Sequence, residues 1–326
     1  MRYESDSRKP HTKMYKIGNV KLDSRVFLAP LAGVTCSAFR LICKEYGAGL
    51  VYSPMIVINQ LVEAPERILE IINPLKQERP LAIQLVGSDT KLMEQAVKII
   101  DPYADIIDIN LGCPEKDILA LKAGAFFIKH PDQLKKIIPA VMSNTNKPVT
   151  AKIRIGWDKD SINTLQVVKQ LEDYGLSAIA IHARTQKQKY TGKADWDEIR
   201  KAKEVVNIPI IGNGDILLPG NAKAMVEQTK CDFVMIGRGA MGNPYLFKRA
   251  ALLLETGKGI PDVDEKMQKE LFIEFYNLYQ KYEKRKKFSE LRQHAMWFTK
   301  GMRSSRYLRN KLLSCKTEKE LLNYFK

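Results

Sequence analysis

Short apolar runs rich in β-branched residues recur along the chain, and turn residues bound each of them. Runs that are apolar on both faces and alternate with helices are typical of a parallel sheet. Eight such runs begin at Val26, Leu50, Leu81, Ile106, Val149, Ala178, Ile208 and Phe233. Stretches with helical periodicity lie between them, such as 91–100, 132–142, 163–174 and 219–228.

The number of strand–helix units favours a closed barrel. Eight units in about 220 residues match a (β/α)₈ barrel of the TIM type. The competing fold, a doubly wound open sheet, needs a G-x-G-x-x-G turn after its first strand, and the segment Leu28–Gly33 has none. We therefore predict an α/β chain with a TIM-type barrel followed by a small all-helical C-terminal domain.

The pattern changes near Pro261, where the strand signals end. The segment 256–261 contains two glycines and a proline, which is typical of a domain boundary. Beyond it, 266–282 and 290–313 are each predicted to form one helix. The predicted units are an N-terminal extension (1–25), a barrel catalytic domain (26–255) and a helical C-terminal domain (262–326).

Polar or special residues follow each apolar run. In order they are Pro30 and Gly33, Ser53, Gln84, Asn110 with Cys113, Lys152 with Arg154, His182 with Arg184, Asn213 with Asp215, and Gly237 with Arg238. One polar residue at a strand end is usually part of a turn. Charged or amide residues at five consecutive ends favour convergence on one pocket, because barrel active sites lie at the carboxyl ends of the strands.

The last two strand ends are rich in glycine, with Gly212-Asn213-Gly214 and Gly237-Arg238-Gly239. Barrels often bind phosphate between these two loops through exposed backbone N–H groups. Arg238 would then clamp the phosphate through paired hydrogen bonds. The alternative is that these glycines only form tight turns.

The composition adds a preference for polyanions. The 326 residues include 53 Lys and Arg against 37 Asp and Glu, a net charge of +16. Such an excess favours nucleic acid, although charge alone fits an ordinary basic protein equally well. Five cysteines without a C-x-x-C pair argue against a zinc site or a disulfide framework and favour reduced, intracellular thiols. Because 1–13 lacks an apolar signal core and no apolar run approaches ~20 residues, we expect a cytoplasmic protein.

Much of the positive charge lies in 281–311, where eleven Lys or Arg stand against Glu283 and Glu290. Arg303, Arg306 and Arg309 recur at every third position, so one helix flank would carry them, with Lys300 near the same surface. We assign this charge to an RNA backbone rather than to an ordinary solvated face. Aromatic residues lie between the cations and either stack on bases or belong to the core, and we favour the core. They are Tyr282, Phe288, Trp297 and Tyr307.

Taken together, these runs resemble the dihydrouridine synthase family, most closely its bacterial B-type branch. The resemblance extends from about Val26 nearly to the end of the chain, and the ordered set of motifs is specific where single pieces are not. The motifs are Ala29-Pro-Leu-Ala-Gly-Val34, Gln84-Leu-Val-Gly87, Asp108-Ile-Asn-Leu-Gly-Cys-Pro114, Ala123-Gly124, Lys152-Ile-Arg-Ile-Gly-Trp-Asp158, Ile181-His-Ala-Arg-Thr185, Gly212-Asn-Gly-Asp-Ile216, Met235-Ile-Gly-Arg-Gly239, Asn243-Pro244 and Arg292-Gln-His294.

The resemblance implies an FMN site in the barrel mouth. Pro30, Leu31 and Ala32 would line the flavin ring, and Gln84 and Lys152 would hydrogen-bond it. The ribityl chain and phosphate would be held by His182, Asn213, Gly214, Asp215, Gly237 and Arg238. In the family, NADPH (or NADH) reduces the flavin, a hydride passes to C6 of uracil, and the cysteine of the Asn-x-Gly-Cys-Pro motif protonates C5. That cysteine is Cys113 here.

General chemistry agrees with these roles. An unperturbed thiol, with a pKa of about 8.5, is protonated at neutral pH and can donate. We expect Asn110 to pair with the uracil edge and Arg154 and Arg184, with Lys152, to stabilise charge on a uracil oxygen. Lys300, Arg303 and Arg306 are predicted RNA contacts. The target base must leave its stack to reach the pocket.

Cys113 and His182 also have plain structural interpretations. Most lone cysteines are small core residues, but Cys113 lies between Gly112 and Pro114 beyond a strand end. A lone histidine is more often a core residue than a ligand. The strand-end position of His182 and its neighbour Arg184 favour the ligand interpretation.

The predicted function is that of a flavin-dependent tRNA-dihydrouridine synthase, with no membrane and no obligate protein partner implied. Ribosomal RNA is an alternative substrate. A second alternative is an FMN barrel that acts on a free small molecule. The basic C-terminal tail (262–326) argues against it. A third is an RNA-binding protein without catalysis, against which Cys113, Lys152 and His182 argue.

Overall fold

Eight parallel strands form a barrel in the computed structural model, which describes residues 14–326. The first thirteen positions of the predicted N-terminal extension therefore lie outside the described residues. The strands are β1 (Tyr15–Ile17), β2 (Val20–Leu22), β3 (Val26–Leu28), β4 (Val51–Tyr52), β5 (Ile56–Val57), β6 (Leu81–Val86), β7 (Ile106–Leu111), β8 (Val149–Arg154), β9 (Ala178–His182), β10 (Ile210–Asn213) and β11 (Phe233–Ile236).

The barrel strands follow the order β3-β11-β10-β9-β8-β7-β6-β4, and β5 continues beside β6. The ring closes between β3 and β4, where the backbone N–H of Leu28 donates to the carbonyl of Leu50 at 3.0 Å. The predicted barrel is confirmed, and each of the eight apolar runs supplies one of its strands. The seventh strand begins at Ile210 rather than Ile208, since Pro209 has no N–H to donate to the ladder.

Helices cover the outside of the barrel because one face of each is apolar. In the helix Thr90–Ile100 the buried residues Met93, Ala96, Val97 and Ile100 recur at helical spacing, and Asp89 caps its first turn. The helices are α1 (Ser37–Glu45), α2 (Ile58–Glu63), α3 (Pro65–Ile72), α4 (Thr90–Ile100), α5 (Lys116–Ala120), α6 (Phe126–Lys129), α7 (Leu134–Met142), α8 (Thr164–Asp173), α9 (Trp196–Val205), α10 (Pro219–Thr229), α11 (Tyr245–Thr256), α12 (Glu265–Tyr282), α13 (Phe288–Phe298), α14 (Ser305–Ser314) and α15 (Glu318–Leu322). Across 14–326, no helix is both long enough and apolar enough to cross a bilayer.

The hairpin β1–β2 covers the N-terminal end of the barrel. Ile17 and Leu22 belong to the same apolar cluster as the side chains inside the barrel. Within that cluster the rings of Phe27 and Phe233 stack at 4.7 Å, and Tyr15 meets Phe233 edge-on at 6.1 Å. The described part of the predicted extension therefore closes the N-terminal end of the barrel with apolar side chains.

The C-terminal helices share the barrel's hydrophobic core. Phe272 and Phe275 of α12 are buried in the cluster that also contains Phe39 of α1. His294 of α13 approaches the carbonyl of Val34 in the β3–α1 loop at 3.0 Å through Nε2. Burial lowers the pKa of His294 to about 3, so the ring is neutral and Nε2–H can donate to that carbonyl. The tail is thus packed against the mouth of the barrel.

The expectation of one helix over 290–313 is wrong. Helix α13 ends at Phe298 and α14 begins at Ser305, because Gly301 and Ser304 take left-handed backbone angles, with φ of +89° and +57°. Arg303 therefore lies in the turn between the helices, where its backbone N–H donates to Glu265. The proposed arginine flank is reduced to Arg306 and Arg309 on α14.

The charge of the tail is nevertheless at the surface. Of the eleven cations in 281–311, all but Arg292 are exposed, and Arg292 is half-buried with its guanidinium donating to the carbonyls of Leu313 and Cys315. The expectation that the interleaved aromatics are core residues is wrong for Tyr307, which is 61% exposed. Tyr282, Phe288 and Trp297 are half-buried.

Gly242 lies in close contact with the tail. Its φ is +67°, and a Cβ there would lie 2.2 Å from the carbonyl oxygen of Trp297. Gln268 of α12 also donates to the Gly242 carbonyl at 2.5 Å. Gly257 has a similar φ of +71°, but a Cβ added to Gly257 would have no other atom within 4 Å.

Alanine substitutions at Gly242 and Gly257 distinguish the cost of backbone strain from the cost of steric overlap, because both positions have a left-handed φ and only Gly242 is crowded. A left-handed alanine costs about 1–2 kcal/mol at either position, and overpacking costs roughly 1–3 kcal/mol more at Gly242 alone. We expect Gly242→Ala to lower the free energy of unfolding clearly more than Gly257→Ala, measured by urea denaturation. Equal losses for the two variants would contradict this account of the contact.

Candidate active site

A cleft opens at the carboxyl ends of the barrel strands and consists of two adjoining cavities. Both cavities are lined by Pro30, Leu31, Lys152, His182, Tyr190 and Arg238. One extends to Asn213, Gly214, Asp215 and Gly237. The other extends to Ala32, Gln84, Asn110, Cys113 and Arg154. The eleven residues predicted to bind a cofactor and the predicted acid Cys113 therefore line a single cleft.

A chain of hydrogen bonds runs beneath the Cys113 loop. Asp108, buried in β7, accepts from Gln84 Nε2 and Thr150 Oγ1, each at 2.6 Å. Gln84 Oε1 accepts from Asn110 Nδ2 at 2.8 Å, and Asn110 Oδ1 accepts the backbone N–H of Cys113 at 2.8 Å. Asp108 thus determines the orientation of two amides, and the second amide positions Cys113.

These hydrogen bonds change the role expected for Asn110. Its amide nitrogen donates to Gln84 and to Met55 Sδ, and its oxygen accepts from Gly112 and Cys113. Both donors and both acceptor positions are engaged, so no part of the amide is left for a uracil edge. In this arrangement Asn110 is a positioning residue for the Cys113 loop.

Cys113 lies half-buried at the edge of the cleft. Desolvation raises the pKa of its thiol, so the group is protonated at neutral pH. Gly124 packs directly against it, since a Cβ at Gly124 would lie 2.8 Å from the Cys113 carbonyl oxygen. The position of the thiol is thus determined by Asn110 from below and by the Gly124 backbone from the side.

Lys152 projects into the cleft from β8, next to the buried Asp108. Burial and the neighbouring Arg154 lower the pKa of Lys152, Asp108 opposes them, and the resulting pKa is about 8. Burial raises the pKa of Asp108 to about 6, against the lowering effect of its hydrogen bonds and of Lys152. At neutral pH the pair is therefore ionised, with a lysine poised to lose its proton just above that pH.

His182 is the last residue of β9, the strand that pairs with the β8 strand of Lys152. Burial lowers the pKa of His182 well below the ordinary value, and the neighbouring cations Lys152, Arg154, Arg184 and Arg238 lower it further. The imidazole is consequently neutral at pH 7. A neutral ring surrounded by cations can hydrogen-bond hydroxyl groups, and the cations around it attract an anion.

Arg184 is placed differently from the expectation, whereas Asp215 lines the cleft as predicted. Arg184 is 2% exposed and does not line either cavity, because its guanidinium pairs with both carboxylate oxygens of Asp215 at 2.7 and 2.9 Å. It also donates to the carbonyls of Thr191 and Gly192. The ion pair orients the Asp215 loop and the long β9–α9 loop, so Arg184 acts through them rather than on a substrate.

Arg154 also uses part of its guanidinium for hydrogen bonds within the protein. It donates to the carbonyls of Gly112, Thr185 and Lys189, which joins the Cys113 loop to the β9–α9 loop. Unlike Arg184, it also lines the cavity that contains Cys113. Lys300, Arg303 and Arg306 line neither of the two cavities and lie exposed on the tail.

Tyr190 was not identified from the sequence. It lies in the β9–α9 loop, is 53% exposed and lines both cavities. The guanidinium groups of Arg154 and Arg238 lie 5.7 and 5.0 Å from its ring centre. An aromatic residue next to the Thr191-Gly192 turn, in a loop at a barrel carboxyl end, was the available signal. Met55, Val34 and Met241 also line the cleft without having been predicted.

Comparisons with known proteins agree with this site. A family model for dihydrouridine synthase (Dus) matches residues 27–326. The tRNA-dihydrouridine synthase B of Pasteurella multocida is 37% identical over 310 residues, which cover 94% of this chain and 93% of that protein. The protein of the same name from Shewanella oneidensis is 34% identical over 317 residues, covering 95% and 98%.

Solved structures support the fold. Histamine dehydrogenase from Rhizobium sp. 4-9 has a TM-score of 0.58 and 13% identity, covering 82% of this chain and 50% of that chain. A morphinone reductase variant has a TM-score of 0.54 and 14% identity, covering 77% and 92%. At these identities the likeness concerns the barrel alone.

The barrel and its cleft thus define an α/β barrel enzyme, and the family match confirms the predicted class, a flavin-dependent oxidoreductase. The chain belongs to the dihydrouridine synthase family.

The coupling between Asp108 and Lys152 can be tested with Asp108→Asn. Removing the buried negative charge withdraws the interaction that raises the pKa of Lys152, so that pKa should fall below about 8. The measurement is a pH titration of the visible absorbance of flavin bound to the protein. Asp132→Asn, at an exposed carboxylate beside α7, is the matched control. An unchanged titration in Asp108→Asn would contradict the coupling.

Proposed function

We propose that the protein is a tRNA-dihydrouridine synthase that uses FMN and NADPH (or NADH) to reduce the C5=C6 bond of uridines, and that it works in the cytoplasm. The observation that carries the proposal is the single cleft in which the protonated thiol of Cys113 faces the same space as Lys152 and a cationic, glycine-lined end. Reduction of an isolated C=C bond needs a hydride on one carbon and a proton on the other.

The cleft fits a flavin mononucleotide. Gly214 and Gly237, which carry no side chains, line the end where a phosphate would bind. Arg238, 49% exposed, offers a cation there, and its nearest carboxylate contact is Asp215 at 3.9 Å. The neutral His182 and Asn213 suit the hydroxyl groups of the ribityl chain, while Pro30, Leu31 and Ala32 provide a wall for the flat ring.

Two further groups would hydrogen-bond the ring. Gln84 donates one amide proton to Asp108, and its second amide proton is left for a ligand. Lys152, with its pKa of about 8, is mostly charged at neutral pH and lines both cavities. These groups match the set that the family resemblance assigns to FMN.

The chain's own residues would supply the proton and the placement. When bound, the flavin supplies the hydride for C6 of uracil. The S–H bond of Cys113 breaks as its proton passes to C5, which leaves a thiolate beside Arg154 and Lys152. Lys152 and Arg154 would also stabilise negative charge that develops on a uracil oxygen. Each cycle then needs one proton from solvent to restore the thiol.

RNA is the substrate class that the surface favours. The exposed cations Lys300, Arg303 and Arg306 lie on the tail, which packs against the mouth of the barrel. Similar proteins are named for their action on tRNA, which makes tRNA the preferred substrate over ribosomal RNA. The turn that contains Arg303 presents its backbone toward Glu265 and leaves the side chain exposed.

The visible absorption spectrum of the purified protein tests the proposal, recorded before and after NADPH and then with unmodified tRNA or ribosomal RNA transcripts. Flavin bands that bleach with NADPH and return with tRNA transcripts are expected. Return with free uridine alone would favour a small-molecule reductase, and return only with ribosomal RNA would replace the substrate. A protein that binds no added FMN would favour an RNA-binding protein without catalysis.

Cys113→Ala removes the proposed acid without touching the flavin end of the cleft. We expect normal flavin content and normal bleaching by NADPH, with reduction of tRNA slowed at least ~100-fold, which is the lower range for loss of a general acid. The measurement is the rate at which anaerobically reduced protein is reoxidised by tRNA. Cys43→Ala, at a buried cysteine of α1, is the control for loss of a thiol elsewhere. Full turnover in Cys113→Ala would exclude the acid role.

A further inference from the structure

A second concavity lies where the barrel mouth meets the tail. We call it the flank groove, and its lining residues are Arg238, Met241, Gln293, Met296, Trp297, Lys300 and Arg309. Arg238 and Met241 belong to the loop after β11 and also line the cavity that contains Cys113. The flank groove therefore adjoins the catalytic cleft at these two residues, and its far wall is built by α13 and α14.

The chemistry of the flank groove is unusual for a solvated surface. Two methionines and an indole, from Met241, Met296 and Trp297, give it a mostly apolar lining. The charged residues that line it within 14–326 are Arg238, Lys300 and Arg309, so every charge there is positive. Lys300 and Arg309 are exposed on the tail. An apolar groove that contains a planar indole and is edged by cations is complementary to a nucleotide, which combines a planar base with an anionic phosphate.

The groove is held open by contacts behind it. The ring of His294 meets the Trp297 ring edge-on at 4.9 Å and 82°, and His294 in turn bonds to Val34. Gly242 contacts the carbonyl of Trp297 from the barrel side. The indole is thereby oriented before any ligand arrives, which reduces the conformational entropy lost when a base stacks on it.

We propose that the flank groove binds an unpaired nucleotide next to the target uridine, with its base against Trp297 and its phosphate near Lys300 and Arg309. This inference rests on the proposed function. Because the groove and the cleft adjoin at Arg238 and Met241, two successive nucleotides of an RNA strand would occupy one each. A target uridine would then need an unstacked neighbour, so the enzyme would select uridines in loops over uridines within helices.

The test compares variants of the full FMN-loaded protein for binding of an unmodified tRNA transcript over a range of KCl concentrations. Trp297→Ala should bind about thirtyfold more weakly at every salt concentration, the middle of the range for loss of one stacked base. Trp297→Phe should recover most of that loss because it keeps an aromatic face. Lys300→Ala should instead reduce the slope of log affinity against log salt by about 0.7, as expected for one phosphate contact on a single strand.

The controls lie on the barrel, away from the groove. Tyr103→Ala removes a half-exposed aromatic side chain, and Lys98→Ala removes an exposed cation of α4. Neither should change affinity or slope. Flavin content and the rate of bleaching by NADPH should be unchanged in Trp297→Ala, because Trp297 does not line the catalytic cleft.

The outcomes separate this inference from the proposed function. If the unsubstituted protein neither binds nor reduces tRNA, both are overturned. If it reduces tRNA but Trp297→Ala and Trp297→Phe bind like Tyr103→Ala, the flank groove is not a nucleotide site and the proposed function stands. A third outcome is that the sedimentation coefficient of the unsubstituted protein increases with protein concentration and that Trp297→Ala abolishes this increase. The groove is then a contact between copies of this chain, and the nucleotide assignment is overturned.

Discussion

Hydrogen bonds between β3 and β4 close the parallel sheet, and the rest of the structure depends on that closure. The bond from Leu28 to Leu50 joins the first and second barrel strands, while ladders of parallel pairs join all the others. Because every barrel strand runs in the same direction, their carboxyl ends form one rim. Residues as distant in sequence as Pro30 and Arg238 therefore line the same cleft. The hairpin β1–β2 contributes apolar side chains at the opposite end, so the described cleft opens at this rim.

The cleft concentrates positive charge around a single buried carboxylate. Lys152, Arg154 and Arg238 line it, and their combined field helps to keep His182 neutral. Asp108 lies beneath them and holds Gln84, which holds Asn110, which positions the Cys113 loop. One carboxylate therefore both moderates the charge on Lys152 and orients the segment that carries the proposed acid. A site of this kind attracts an anionic cofactor and stabilises negative charge that develops on a substrate.

The tail is part of the same packing unit as the barrel. Phe272 and Phe275 share a hydrophobic core with Phe39, and His294 reaches the loop that lines the cleft through Val34. This packing sets the distance between the exposed cations and the catalytic cleft. The helix break at Gly301 and Ser304 matters for the same reason, because it turns α14 so that Arg309 reaches the flank groove beside Trp297. The geometry of the tail thus gives the proposed selection of substrate a physical basis.

The sequence by itself determined the barrel, the strand ends that line its mouth, the family and the basic tail, since all of these follow from local patterns and ordered motifs. Only the tertiary structure decided which polar groups are free to act. Arg184 is paired with Asp215, and the amide of Asn110 is hydrogen-bonded to Gln84 and to the backbone of Cys113. Tyr190 lines the cleft from a loop. The physical reason is that a hydrogen-bond partner is chosen by proximity in space. Periodicity along the chain records which face of an element is apolar, but it holds no information about which distant carbonyl or carboxylate will meet a given side chain.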